Sequence, residues 1–337
     1  MLDPERKRPQ KKHIQGLSVL VLAVLLLFGL AAGQDKKEPV PVTSSRGFQL
    51  SGYTQFLYNY WDKGVDSFSI PRARLSLSGN LLKNVRFKIQ VDAVKNPALM
   101  DAQVDVQFRP YLGLRIGQYY VPFSLENNTS DSDLDTILRS QVVNALSPSR
   151  DIGSQGRDIG AMFTGRYSIA EYYLGVFNGA GINKLDTNKA KDVAARLILH
   201  PTSTLAIGGS LYRGRHNPVQ GLPDVSRTRA GLEAALNLGV WSLLGEFISG
   251  KDDLVSKSGW YLQGGYFVLP EKLQAVLKWD TYDRDKDMPG DRTGLLTLAV
   301  NWYLWGKTKL AVNYNLYRKE GEGTTNQAIS VQFQAAF

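Results

Sequence analysis

The sequence predicts an all-β fold, a transmembrane antiparallel β-barrel of about sixteen strands. Three observations support this prediction. Segments of about ten residues alternate apolar and polar side chains, aromatic residues gather at the segment ends, and no amphipathic helix of ordinary length interrupts the segments after residue 47. Such segments match a tilted bilayer crossing, whereas strands of soluble proteins average about five to six residues. The alternative fold is a soluble or surface-exposed β-sandwich that binds a ligand.

The first 33 residues predict a cleaved export signal peptide. A basic start, MLDPERKRPQKKHIQG, precedes the apolar run LSVLVLAVLLLFGLAA and small residues that place cleavage after Gly33. An uncleaved membrane anchor is the alternative, but the run is shorter than the ~20 residues that a spanning helix needs. Residues 34–46, charged and rich in proline and serine, are expected to be a flexible lead, and residues 47–337 to form the barrel domain.

Alternation is clearest in the segment NVRFKIQVDAV, where Phe87 and Ile89 share one face and Arg86 and Lys88 share the other. The same pattern along the chain predicts strands at 48–60, 67–79, 84–95, 100–110, 111–120, 157–168, 170–178, 190–200, 203–213, 226–238, 240–250, 258–268, 271–282, 292–303, 307–318 and 326–337. The aromatic residues expected to form interfacial girdles are Tyr58, Tyr60, Trp61, Tyr119, Tyr120, Trp241, Trp260, Tyr261, Trp279, Trp302, Tyr303 and Trp305.

The final segment, QAISVQFQAAF, alternates up to Phe337. A terminal strand that ends in phenylalanine resembles the signal by which outer-membrane barrels are inserted, so the insertion machinery is an expected partner through Phe337. Together with the export signal, this ending predicts the outer membrane of a Gram-negative bacterium as the location, with outer-membrane lipid around the barrel.

The one long interruption of the alternating pattern lies between Val121 and Gly156. Long segments without regular structure inside a compact fold are commonly functional. We expect this loop to fold into the lumen and narrow it, and an ordinary extracellular loop is the alternative. Its acidic stretch SDSDLD, residues 130–135, either holds a cation or is simply solvated.

The composition excludes several classes of function. The chain has no cysteine, which rules out disulfides, thiol catalysis, cysteine-bound zinc and iron–sulfur clusters. Neither His200 nor His216 falls in a Ser/His or acid-pair pattern, so no enzyme activity, cofactor or metal site is expected. The net charge of +9 does not predict nucleic acid as a partner, because no aromatic stacking platform accompanies it and an exported barrel does not routinely meet nucleic acid.

Five segments resemble the phosphate-selective porin O/P family. In order they are GFQLSGYTQFLYNY, RARLSLSGNL, LRIGQYYVPFSLE, RDIGAMFTGRY and GVFNGAG, and they cover about residues 47–181. The second half of the chain agrees with the family in strand pattern only. The resemblance implies a sixteen-stranded outer-membrane barrel, usually a homotrimer, that passes anions. It also implies that phosphate or polyphosphate is bound by arginines and lysines in a constricted channel.

If apolar residues face lipid, the residues of opposite parity face a wet lumen, and more of them are basic than acidic. Rings of arginine and lysine favour anion passage, and the planar arginine fork suits oxyanions. The predicted pore-lining anion pathway consists of Arg72, Arg74, Arg86, Lys88, Arg109, Arg115, Arg196, Arg213, Arg227 and Arg229. The alternative for each residue is pairing across strands with acids such as Asp92, Asp101 and Asp105.

These observations predict an outer-membrane porin for passive diffusion of small anionic solutes, with phosphate or polyphosphate among them. A general unselective porin, a carbohydrate porin, a ligand-binding sandwich and an outer-membrane enzyme are the alternatives.

Overall fold

The barrel is closed and entirely antiparallel. The computed structural model describes residues 42–43, 47–217 and 223–337. Each of the sixteen wall strands pairs with its neighbour in sequence, and the last pairs back with the first. The prediction of a barrel is therefore confirmed, and the sandwich alternative is wrong. In the described part of the chain, no helix is long and apolar enough to cross a membrane.

The sixteen wall strands follow the predicted segments closely. They are β2 (Gln49–Trp61), β3 (Ser67–Leu82), β4 (Val85–Asp92), β5 (Leu99–Arg109), β6 (Leu112–Tyr120), β7 (Arg157–Tyr167), β8 (Ala170–Phe177), β9 (Asp192–Leu199), β10 (Leu205–His216), β11 (Val225–Leu238), β12 (Trp241–Asp252), β13 (Val255–Leu269), β14 (Leu273–Asp283), β15 (Thr293–Trp305), β16 (Thr308–Lys319) and β17 (Gly323–Ala336). Because the strands alternate in direction, the long connections 121–156, 178–191 and 284–292 share one end of the barrel, here called the long-loop end.

Upstream of the wall, a two-residue strand, β1 (Val42–Thr43), pairs with the start of β2. Two residues of the predicted flexible lead are thus held in a sheet. The predicted signal peptide and the remainder of the lead lie outside the described residues. At the other end of the chain, Phe337 and Gly52 exchange two backbone hydrogen bonds of 3.0 Å, which extends the β17–β2 pairing to the last residue.

Strand alternation separates a wet inner face from an apolar outer face. On β17, Ser330, Gln332 and Gln334 are buried inside, whereas Phe333 of the opposite parity is exposed. Across the rest of the wall, exposed apolar side chains of the outer parity include Ile89, Ile116, Phe163, Leu174, Leu197, Leu232, Phe247, Leu262 and Leu277. Exposed apolar side chains on this scale are favourable where lipid covers them.

The predicted aromatic girdles are only partly present. Trp241, Trp260 and Trp305 are exposed on the barrel. Tyr119 and Tyr261, in contrast, are buried in the lumenal core, because their strand parity points them inward. The aromatic residues at strand ends are therefore of two kinds, some facing outward and others facing the lumenal core.

The loop between β6 and β7 fills part of the lumen, as predicted. It contains α1 (Leu125–Asn128), a 3₁₀ turn (Asp131–Asp133) and α2 (Gln141–Leu146). Apolar loop residues, including Val142 and Leu146, are fully buried against inward-facing residues of the wall such as Ile248 and Tyr261. Helix α2 contacts β12, β13 and β14, so the loop leans on that side of the barrel.

Candidate functional site

The acidic segment of the loop is tied to the basic inner face of β3. Asp131, whose side chain is 4% exposed, pairs with Arg72 at 3.1 Å and with Arg74 at 2.8 Å. Arg139 of the loop pairs with the same carboxylate at 2.9 Å. Burial alone would raise the pKa of Asp131, but these arginines hold it well below its ordinary value. Neither a cation site nor a solvated stretch describes Asp131, so both sequence interpretations are wrong for this residue.

A second anchor joins α1 to β14 and β12 of the wall. Glu126 pairs with Lys278 at 2.5 Å and accepts a hydrogen bond from the backbone N–H of Ser140 at 2.9 Å. Burial would raise the pKa of Glu126, but Lys278 and then Arg139 outweigh it and lower the pKa. In turn, the Glu246 carboxylate of β12 accepts the backbone N–H groups of residues 125 and 126 at 2.9 and 2.7 Å. The first turn of α1 is thereby fixed in position.

A third anchor uses two of the predicted pathway arginines. Asp151 near the end of the loop pairs with Arg227 and Arg229 at 3.1 Å each. Arg229 also pairs with Asp252 at 2.6 Å, and Arg227 donates to the Tyr212 hydroxyl at 2.9 Å. Both guanidinium groups are buried, so they hold the loop and do not face open lumen.

The side of the lumen away from α2 stays open. A cavity of about 450 Å³ lies between the loop and β4–β9, and Lys88, Arg115, Tyr173 and Arg196 are among its lining residues. A second cavity of about 340 Å³ lies toward β2–β4, where Lys307 also lines it. Lys88 borders both cavities and therefore lies between them.

Most of the predicted pathway residues are paired with acids. Lys88 pairs with Asp101 at 2.6 Å, and Arg115 pairs with Asp105 at 2.5 Å. The predicted residues that form ion pairs are Arg72, Arg74, Lys88, Arg115, Arg196, Arg227 and Arg229. Arg86 and Arg109 are exposed, and within residues 47–217 and 223–337 they form no ion pair.

Arg213 does not face the lumen, which corrects the sequence prediction. It shares its face of β10 with exposed Ile207 and Leu211, whereas Ser210 and Tyr212 of the opposite parity are buried inside. The Tyr212 hydroxyl is bonded to the inward groups Asp192 and Arg227, which fixes the opposite face of the strand, with Arg213, on the outside.

In two of the lumenal ion pairs the cation is much more exposed than its acid partner. The Lys88 side chain is 35% exposed and its partner Asp101 is 2% exposed. Arg72 is 23% exposed against 4% for Asp131. At these two pairs a solute in the lumen meets the cation while the carboxylate is covered by protein, whereas the Arg115 pair is equally exposed on both sides, at 31% and 30%.

Three lysines outside the predicted set also contribute to the lumen. Lys278 and Lys309 are buried and bind the loop, the latter through the carbonyl oxygen of Leu134 at 2.6 Å. Lys307 pairs with Asp133 at 2.7 Å. Strand parity identifies Lys278 and Lys309 as inward, but nothing in the sequence pairs Lys307, in a two-residue turn, with a loop acid 174 positions away.

A closed sixteen-stranded barrel with a charged loop folded into its lumen is the architecture of an outer-membrane porin. The chain belongs to the family described as phosphate-selective porin O and P, whose model matches residues 50–219 and 210–337.

Solved structures share the fold at low sequence identity. The anion-selective porin from Comamonas acidovorans is 15% identical, with 86% of this chain and 99% of that chain covered and a TM-score of 0.66. OmpT, an outer membrane protein of Vibrio cholerae, is 10% identical, with 89% and 100% covered and a TM-score of 0.67. Its trimer form is 10% identical, with 86% and 99% covered and a TM-score of 0.62. A comparison with curated proteins found no match in sequence.

Proposed function

We propose that this porin passes small anions by passive diffusion, with phosphate among them. The observation that carries the proposal is the unequal exposure within two lumenal ion pairs, in which Lys88 and Arg72 are partly exposed and their acid partners are covered. Arg86 adds an exposed cation on the same strand as Lys88. The anion selectivity of the Comamonas acidovorans porin and the family description support the same solute class.

The mechanism is electrostatic. A charge at the wall of a narrow lumen acts through a low-dielectric boundary, which raises the local concentration of counter-ions. Lys88 replaces part of the hydration of an anion at the junction of the two cavities, and its Asp101 partner keeps the binding weak. Weak binding is required, because an anion that is held tightly does not leave the channel.

Zero-current potentials across a planar bilayer test the proposal. The Lys88→Ser variant should lower the chloride-to-potassium permeability ratio about 16-fold at low salt, since a charge about 5 Å away in water is worth about 0.8 kcal/mol, with opposite sign for chloride and for potassium. The effect should vanish near 1 M salt, where the Debye length is about 3 Å. Lys272→Ser removes an equal charge from the exposed turn between β13 and β14 and should leave the ratio unchanged.

Cation preference of the wild-type channel at low salt would refute anion selectivity. A wild-type ratio near one would instead point to a general or carbohydrate porin. Adding phosphate at a fixed chloride concentration then tests phosphate passage, because a permeating or blocking phosphate changes the chloride current.

We further infer that the chain is a channel and not an enzyme, that it forms homotrimers, and that its first 33 residues are cleaved on export. Family membership supports the first inference, and the trimer form of the Vibrio cholerae protein supports the second. N-terminal sequencing of the membrane-inserted protein and chemical cross-linking test the last two. Slowed assembly after deletion of Phe337 would support a role for the insertion machinery.

A further inference from the structure

A groove of about 680 Å³ lies on the outer face of the barrel along β9–β13, near the long-loop end. One row across the strands runs Ala195, Leu211, Ala230 and Ser249, so its floor is made of three small side chains and one leucine. Leu211 is exposed within this row, and exposed Val193 borders it on the side of Arg213. The floor and its border are therefore mainly apolar and lie open to whatever surrounds the barrel.

A row of basic side chains crosses the end of this groove nearest the long loops. Strand register places Arg213 opposite Thr228, Thr228 opposite Lys251, and Lys251 opposite Ser256. The backbone N–H of Lys286 donates to the Ser256 carbonyl oxygen at 2.9 Å, which brings a third cation to the same row. All three basic residues line the groove.

These cations are not neutralised by protein acids. Among the described residues, Arg213, Lys251 and Lys286 form no ion pair, in contrast to most of the lumenal arginines. Two acids close to these strands in sequence make other contacts. Asp253 accepts the backbone N–H of Ser226, and Asp283 pairs with an arginine of its own connection.

The spacing of the row suits one phosphate group. Neighbouring strands lie about 4.8 Å apart, so the backbones at positions 213 and 251, two strands apart, are separated by roughly 10 Å. Both side chains are long enough to reach the midpoint, where Thr228 supplies a hydroxyl. Arginine binds phosphate oxygens through its planar fork, and lysine adds a point charge.

We propose that this groove binds a membrane lipid with a phosphate-bearing headgroup. The acyl chain lies along the apolar floor toward the exposed residues Leu232 and Phe247, and the phosphate is held between Arg213 and Lys251. Basic residues at the edge of an apolar membrane-facing band attract anionic lipids in this way. The site is on the outside of the wall, so it stands independently of the solute that the lumen passes.

Native mass spectrometry of the folded full-length protein in detergent micelles tests the proposal with dioleoyl phosphatidic acid as the probe. Wild-type protein should retain phosphatidic acid in preference to dioleoyl phosphatidylcholine. The double variant Arg213→Ser with Lys251→Ser should weaken phosphatidic acid binding about 25-fold, because each basic residue near an anionic lipid surface contributes a factor of about five. Migration in SDS before and after heating shows that both proteins are folded.

A matched control removes the same charge from the other end of the barrel. Lys83→Ser with Lys272→Ser alters two exposed turn residues and should leave phosphatidic acid binding unchanged. Equal loss of binding in both double variants, or equal retention of the two lipids by wild type, would overturn the proposal. Displacement of the lipid by an equal concentration of inorganic phosphate would also overturn it, because the site would then recognise free phosphate and not a lipid.

Discussion

Replacing Asp131 by Asn should loosen the lumenal loop. The carboxylate is buried and joins Arg72 and Arg74 of the wall to Arg139 of the loop. The contacts to the wall must break when the loop moves away from it. Asn is nearly isosteric and keeps one acceptor oxygen. The change therefore removes charge with little change of shape.

The expected magnitude follows from burial. Breaking a buried ion pair by neutralising one partner costs about 3–5 kcal/mol, because the other charge stays buried without compensation. Arg74 retains Asp92 at 3.0 Å, which places the cost near the lower end of that range. A loss of about 3 kcal/mol raises the undocked fraction of the loop roughly 150-fold.

Limited trypsin digestion of the folded barrel measures this fraction, since cleavage of a transiently opened segment follows the population of the open form. Cleavage after Arg139 and Arg150 should accelerate on the order of 100-fold in Asp131→Asn. Asp133→Asn is the matched control in the same segment. Its carboxylate is 38% exposed and pairs with exposed Lys307, so at most about 1 kcal/mol, or about fivefold, is expected. Equal acceleration in the two variants would refute the reasoning from burial.

Three further predictions concern the loop and the wall. The lowered pKa values of Asp131 and Glu126 mean that their contribution to loop docking is complete above the unfolded-state pKa of about 4 and is lost as the pH falls through the folded values. Single-channel conductance should therefore rise as the pH falls below about 4. Leu146→Ala should cost about 2–5 kcal/mol of loop docking and accelerate tryptic cleavage, because this fully buried side chain leaves a cavity. Gly117→Ala should prevent heat-modifiable migration in SDS, because Gly117 has φ +118° and an added Cβ would overlap a backbone carbonyl of β5. Gly209→Ala is the control and should fold, because the nearest atom to its added Cβ lies 3.6 Å away.

The wall could be predicted from the sequence because a barrel strand follows a local rule. Each residue faces lipid or lumen according to parity alone, so segments such as 84–95 and 326–337 show their faces without knowledge of their partners. Because the turns between such segments are short, each strand has few possible partners other than its neighbours in sequence. The observed strands therefore begin and end within a few residues of the predicted segments.

Parity fails as a guide where the two faces are chemically similar. The end of β10, with Tyr212, Arg213 and Arg215, presents a buried tyrosine to the lumen and arginines to the outside. Aromatic residues occur both in lipid-facing girdles and in the lumenal core, so the residue types do not show which face of the strand points into the lumen. The structure shows that Arg213 faces outward, because it lies opposite Thr228 of β11 and shares its face of β10 with exposed Leu211.

The pairing of lumenal charges depended on the loop, whose path no local pattern specifies. Asp131, Glu126 and Asp151 each reach cations on distant strands, and they do so because the apolar side of the loop is buried against the wall behind α2. A count of basic lumenal residues therefore overstates the positive field that a solute meets. What remains effective is the smaller set in which the cation is exposed and its acid covered, and Lys88, at the junction of both cavities, is its central member. Selectivity in this channel should accordingly respond to Lys88 far more than to the buried Arg227, although both are equally basic in the sequence.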